Sequence, residues 1–171
     1  MWCEVGRRRE GQVDTDRRYY FEDLTPGRVF RSARAIRMDR DAITAFARQF
    51  DLNPAHQSEE AARASMLGVF CASGWHTASV TLRLVCETMP IAGGGMGAGV
   101  EYLRWARPVL ADDQLRVEIE ILAVRVSRSR PDAGVVTYKA VTLNQRDEPV
   151  QEYSMTVMIP CRELTPPRPA A

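Results

Sequence analysis

An acid, an imidazole and a helix head carry the chemistry-bearing residues of this chain. Asp51-Leu52-Asn53-Pro54-Ala55-His56 sets a carboxylate and an imidazole five residues apart across an Asn-Pro break. Ser73-Gly74-Trp75-His76 follows, with a small polar residue and a glycine at the head of an apolar segment. A carboxylate and an imidazole that share one water can serve as general base and acid, worth about 10²–10⁴-fold in rate. Histidine titrates near neutrality, which suits proton shuttling. The Gly74 amide at a helix N-terminus, with the dipole behind it, offers a donor to a developing oxyanion. Glycine lets a ligand approach the backbone closely. Together these provisions suit adding water to, or removing it from, an α,β-unsaturated thioester. That chemistry requires no metal and no cofactor.

Taken singly, each signal has a plain explanation, and short motifs match by chance. Asp51 alone is a loop acid at a helix end, Asn53-Pro54 a common turn, and His56 a surface-loop histidine. The joint pattern with Ser73-Gly74 carries the catalytic reading, whose geometry must then agree. Asn53 and Trp75 are candidates for the substrate pocket. Trp75 and Trp105 otherwise read as core. His76 reads as a partner for loop backbone or core polar groups. Ser73 lacks a Gly-x-Ser-x-Gly setting, which argues against a serine hydrolase.

The elements that must position these residues follow from pattern. Thr25-Pro26-Gly27 is a turn signal, and Tyr19, Tyr20 and Phe21 ahead of it pin the chain to the domain. Val29 to Ile36 reads as a short strand. Asp39 is a good N-cap for a helix from Arg40 to about Phe50, with Ala42, Ile43, Phe46, Ala47 and Phe50 on one apolar stripe. Pro54 pushes Asn53 out of the α region. Ser58 caps a short second helix with Glu59 and Glu60 in its first turn. His56 therefore lies in a loop held between two helices. Gly74 to about Met89 is apolar on most sides, the pattern of a buried helix. Ala92 to Gly97 reads as a plain flexible loop, since no Gly-Lys-Ser/Thr follows it. Strands follow: Gly99 to Trp105; Leu115 to Val126, with one phase slip suggesting a bulge; Val135 to Leu143; and Tyr153 to Ile159. Short turns between them favour antiparallel pairing. The expected fold is α+β, an antiparallel sheet wrapped around one long apolar helix.

The 171 residues fit one domain, here residues 19–160, between expected flexible tails at 1–18 and 161–171. Composition is ordinary for a globular protein, with 45% apolar and 26% charged residues. A net charge of +1 gives no global field toward nucleic acid. Cys3, Cys71, Cys86 and Cys161 form no C-x-x-C pair, which argues against a zinc ribbon. Their scatter suits reduced thiols in the cytoplasm. No apolar run is long enough to span a membrane, and the Arg-rich start has no apolar run after it.

Four segments now in view occur in a telling order: Tyr20-Phe21-Glu22-Asp23-Leu24-Thr25-Pro26-Gly27, Asp51-x-Asn53-Pro54-x-His56, Ala72-Ser73-Gly74-Trp75-His76-Thr77 and Leu103-Arg104-Trp105-x-x-Pro108-Val109. All four resemble the MaoC-like dehydratases, also called R-specific enoyl-CoA hydratases, over roughly Tyr19 to Pro160. The Asp-x-Asn-Pro-x-His segment is the specific part. The resemblance implies the hot-dog fold and a homodimer with pooled sheets. It implies hydration of trans-2-enoyl thioesters, on CoA or acyl-carrier protein, to (R)-3-hydroxyacyl thioesters, or the reverse. Asp51 and His56 fall on the catalytic dyad, and Gly74, with Ser73 before it, on the amide that receives the thioester oxygen. Ser58 stands where many members have Asp, and Ser73 where many have His. Met66-Leu67-Gly68-Val69 has fewer small residues than is usual, so acyl-chain fit differs. The alternatives are a hot-dog thioesterase, with Asp51 aiming water at the carbonyl, and a non-catalytic acyl-CoA binder.

Overall fold

The computed structural model describes residues 18–162. The expected tails, 1–18 and 161–171, lie outside the described residues apart from 18, 161 and 162. Strands β1 (Val29–Arg31), β2 (Ile36–Arg37), β3 (Met96–Trp105), β4 (Gln114–Val126), β5 (Ala133–Leu143) and β6 (Pro149–Pro160) form one antiparallel sheet. Their order is β1-β4-β5-β6-β3, with β2 also paired to β4. Helices α1 (Arg40–Phe50), α2 (Glu59–Arg63) and α3 (Gly74–Thr88) precede β3. The sheet packs on α3, which is the α+β hot-dog arrangement that the sequence led us to expect.

The alternation in β4 becomes burial. Leu115, Val117, Ile119 and Ile121 are each at most 1% exposed, and each such side chain contributes about 1.5–3 kcal/mol relative to exposure. The phase slip is a register shift between Ile121 and Ala123 opposite Tyr138 and Thr137. It leaves Leu122 outward and 44% exposed. The aromatic lead-in docks as expected: Tyr19 N–H donates to the Pro90 carbonyl and its own carbonyl accepts from Ala92. Phe21 lies so close to Gly134 that any Cβ there would collide with its ring.

Several expectations need correcting. Val29 to Ile36 is two short strands, because Ser32 leaves β1 to bond Val117 through both its amide and its hydroxyl. The glycine-rich segment is less loop than expected, since β3 starts at Met96 and pairs its glycines with β6. Helix α3 is covered on one face only. Thr77, Thr81, Leu84 and Val85 are buried, whereas Trp75 and Leu82 are 59% and 47% exposed. Its outer face therefore exposes apolar side chains beside Ser79, Arg83 and Glu87. Trp75 and, at 44%, Trp105 are accordingly not core residues.

Candidate active site

Asp51 is placed by the end of α1. Asp39 caps the start of that helix, accepting from the Ala42 amide at 3.0 Å, and Ile43 and Ala47 bury its inner face. At the other end Asp51 is the C-cap, its N–H donating to the Ala47 carbonyl. The helix dipole opposes negative charge at this end by about 0.3–1 kcal/mol, so a carboxylate here needs donors. It has two: the Ser73 hydroxyl donates to Oδ2 at 2.6 Å and the Asn53 amide to Oδ1 at 3.3 Å.

His56 ends a single 3-10 turn, Pro54–His56, rather than an open loop. Pro54 occupies the first position of the turn, where its missing N–H costs nothing. The Asn53 side-chain oxygen caps the turn on the Ala55 amide at 3.1 Å. The imidazole is 6% exposed. Its Nδ1 lies 2.8 Å from the Cys71 carbonyl oxygen. A carbonyl only accepts, so Nδ1 carries the hydrogen in either charge state. The neutral ring therefore presents the lone pair of Nε2, which faces Asp51 Oδ2 at 3.6 Å. That spacing is too long for a good hydrogen bond between them. One water could reach both atoms at about 2.8 Å, a normal hydrogen-bond length.

Ser73 is the N-cap of α3 and is fully buried. Its Oγ accepts from the Trp75 amide at 3.1 Å while its hydroxyl donates to Asp51. Expected beside Gly74 at a thioester, Ser73 instead has its hydroxyl committed to the acid and to the helix head. Gly74, the first residue of α3, has no intrahelical acceptor for its N–H. Trp105 lies against it, and a Cβ at Gly74 would stand 2.5 Å from that indole. A cavity of about 280 Å³ adjoins these groups, lined by His56, Cys71, Gly74, Thr77, Trp105 and Arg107 among others. Burial pushes the Cys71 thiol above its usual range, which leaves it a poor nucleophile near neutral pH.

The structure thus brings Asp51, His56, Ser73 and Gly74 together. Of these four, His56 and Gly74 line the cavity, Asp51 and Ser73 reach it only through their neighbours, and Asn53 and Trp75 stand outside it. Asn53 is exposed and caps a turn; Trp75 points outward and meets Trp105 edge-on at 5.4 Å. The tryptophan on the cavity wall is Trp105, and the Leu-Arg-Trp-x-x-Pro segment was the signal for it. His76 offers Nδ1 to no protein group among the described residues. It stacks on Phe46 at 4.7 Å, and burial pushes its pKa down. Ser58 caps α2 through the Ala61 amide at 3.2 Å, so helix initiation survives without an aspartate. Leu67 reaches the cavity wall, whereas Met66 is fully exposed.

Comparison with known proteins agrees with the fold. The model of the MaoC like domain matches residues 22–144. The crystal structure of a MaoC-like dehydratase from Rhodospirillum rubrum is 46% identical with a TM-score of 0.79, covering 85% of this chain and 99% of that one. The (R)-hydratase from A. caviae involved in PHA biosynthesis has the same fold at 23% identity and a TM-score of 0.66, covering 81% and 99%. YdeM of Bacillus subtilis (strain 168), an uncharacterized protein, is 29% identical over 140 residues, 81% of this chain and 96% of its own length. The chain belongs to the MaoC-like domain family, the family of the MaoC-like dehydratases.

Proposed function

We infer that the protein hydrates trans-2-enoyl thioesters to (R)-3-hydroxyacyl thioesters, or runs the reverse dehydration, with Asp51 and His56 as the acid–base pair. One observation carries this reading: His56 Nδ1 is pinned by the Cys71 carbonyl, so Nε2 faces Asp51 Oδ2 at 3.6 Å beside a cavity that reaches Gly74. A water donating one hydrogen to each atom turns its oxygen lone pair toward a substrate in that cavity. Attack of this oxygen on C3 pushes the C2–C3 electrons onto the thioester carbonyl. The Gly74 N–H meets the resulting oxyanion, and a preorganised donor of this kind is worth about 10²–10³-fold. Asp51 takes the water proton; His56, which orients the water, receives that proton from Asp51 on Nε2 and relays it to C2 as the carbonyl re-forms. One water is consumed, and both catalytic groups end as they began. Ser73 positions Asp51 and ties it to the head of α3.

The acyl group arrives on CoA or on carrier-protein phosphopantetheine, and the chemistry calls for no metal or cofactor. The domain spans residues 19–160, and the scattered thiols suit the cytoplasm. A homodimer is supported by β3: it is ten residues long, lies at the open edge of the sheet and exposes Met96 and Val100. An open edge of this length is a template for pairing, and Trp75 and Leu82 on the outer face of α3 lie unburied in one copy.

Purified protein with crotonyl-CoA and longer enoyl-CoAs tests the reading. Hydration removes the enone absorbance, whereas free thiol would mean thioester hydrolysis instead. No signal of either kind, across chain lengths and with carrier-protein substrates, would leave a binding protein.

A further inference from the structure

Trp105 stands at the end of β3, paired in register with Gln151 of β6. Its indole N–H is shared, donating to the Gly74 carbonyl at 3.0 Å and to Gln151 Oε1 at 2.9 Å. Gln151 is fully buried, and its other end is held as well. Its Nε2 donates to Thr81 Oγ1 at 3.0 Å, and Thr81 in turn is bonded to Thr142 Oγ1 at 2.7 Å. The ring carbons beside that N–H, Cε2, Cδ2 and Cζ2, press on Gly74, closer than any side chain there would allow. A half-exposed tryptophan on an edge strand is thus tied to the core through one edge and laid on the helix head with its ring. Isolated packing needs only an apolar residue at position 151. A buried polar chain in which every member is satisfied selects one geometry instead.

We propose that Trp105, anchored by Gln151 and Thr81, is a positioning residue for the Gly74 amide. It fixes the first turn of α3 and closes one side of the amide to water, so the thioester oxygen meets the N–H from the cavity side. The inference rests on the role given to Gly74 above. A donor must stand about 2.7–3.1 Å from the site of developing charge to be effective, and that precision comes from the groups supporting it.

Trp105→Phe keeps a ring and removes the N–H, while Gln151→Met leaves the indole and removes its buried acceptor. Hydration of crotonyl-CoA gives kcat and KM. Inhibition by butyryl-CoA, the saturated analogue in which no charge develops, reports ground-state binding. For Trp105→Phe we expect kcat to fall about tenfold while the butyryl-CoA inhibition constant moves by less than about twofold, the pattern of a lost transition-state interaction. For Gln151→Met we expect a fall of about threefold in kcat with the same split. An unchanged kcat overturns the proposal. So does a fall matched by equal loss of butyryl-CoA binding, which would make Trp105 a pocket wall and nothing more. Should Trp105→Phe fail to fold, Gln151→Met decides by the same criteria. A wild-type protein inactive on all enoyl thioesters removes the hydratase reading and this proposal with it. Activity that is abolished in Asp51→Asn but normal in Trp105→Phe and Gln151→Met removes only the proposal.

Discussion

The two ends of α3 are built from different materials. At the N-terminal end a buried serine and a half-buried acid stand behind a buried imidazole that lines a cavity, and each is held by one or two hydrogen bonds. Toward the C-terminal end the helix meets a closed core. Leu84, Val85 and Met89 pack there in the same buried cluster as Tyr138 and Tyr153. The two tyrosine hydroxyls lie 3.4 Å apart, and Tyr138 also donates to Met155 Sδ at 3.3 Å. Burial pushes both phenols above their usual range, so they stay neutral. The helix dipole favours anions at the first end only. Polar groups therefore serve opposite purposes on one helix: at its head they leave acceptor and donor positions open, and at its tail they close on each other.

Substitutions at the two ends should separate activity from stability. The largest effect belongs to the head: Asp51→Asn lowers hydration about 10³-fold, with urea denaturation showing a folded protein. Equal activity in the variant would remove the acid from the mechanism. Next, Leu84→Ala at the tail costs about 2–5 kcal/mol of stability, while kcat of the folded fraction stays near wild type. A collapse of kcat in folded Leu84→Ala would show that the two ends are coupled. Ser73→Ala falls between, because its hydroxyl serves both the cap and the acid. We expect loss of about 1 kcal/mol from the cap, together with a fall of about tenfold in kcat from the less constrained acid. Stability lost with kcat intact would confine Ser73 to capping.

The smallest effect is a pH dependence. His76 lies against Phe46 with its folded pKa below the ordinary 6.5. The unfolded chain then binds this proton more readily, so stability rises with pH across that interval. The contribution is intact above about pH 6.5 and is lost as pH falls through the lower folded value. His76→Phe should flatten that slope in denaturation midpoints between pH 5 and 7. A slope identical to wild type would place the dependence on another group.

What was legible along the chain was local. The Asp39 and Ser58 caps, the Pro54 break, the bulge of β4 and the short turns all depend on residues within a few positions of each other. Each appears where propensity and period put it. The Asp51 to His56 spacing was legible for the same reason, since the end of α1 and the 3-10 turn Pro54–His56 follow each other directly. The contacts that give those residues their orientation join distant segments. Ser73 reaches Asp51 across 22 residues, the Cys71 carbonyl selects the His56 tautomer across 15, and Trp105 covers Gly74 across 31. The outward turn of Trp75 is also a tertiary matter, because helical period alone does not say which apolar face the sheet will cover. Short-range sterics and hydrogen bonding thus wrote the elements and the candidate pair into the residue order. The direction of each lone pair, and the side from which a substrate can approach, arose only when sheet and helices packed, since those contacts have no period to read.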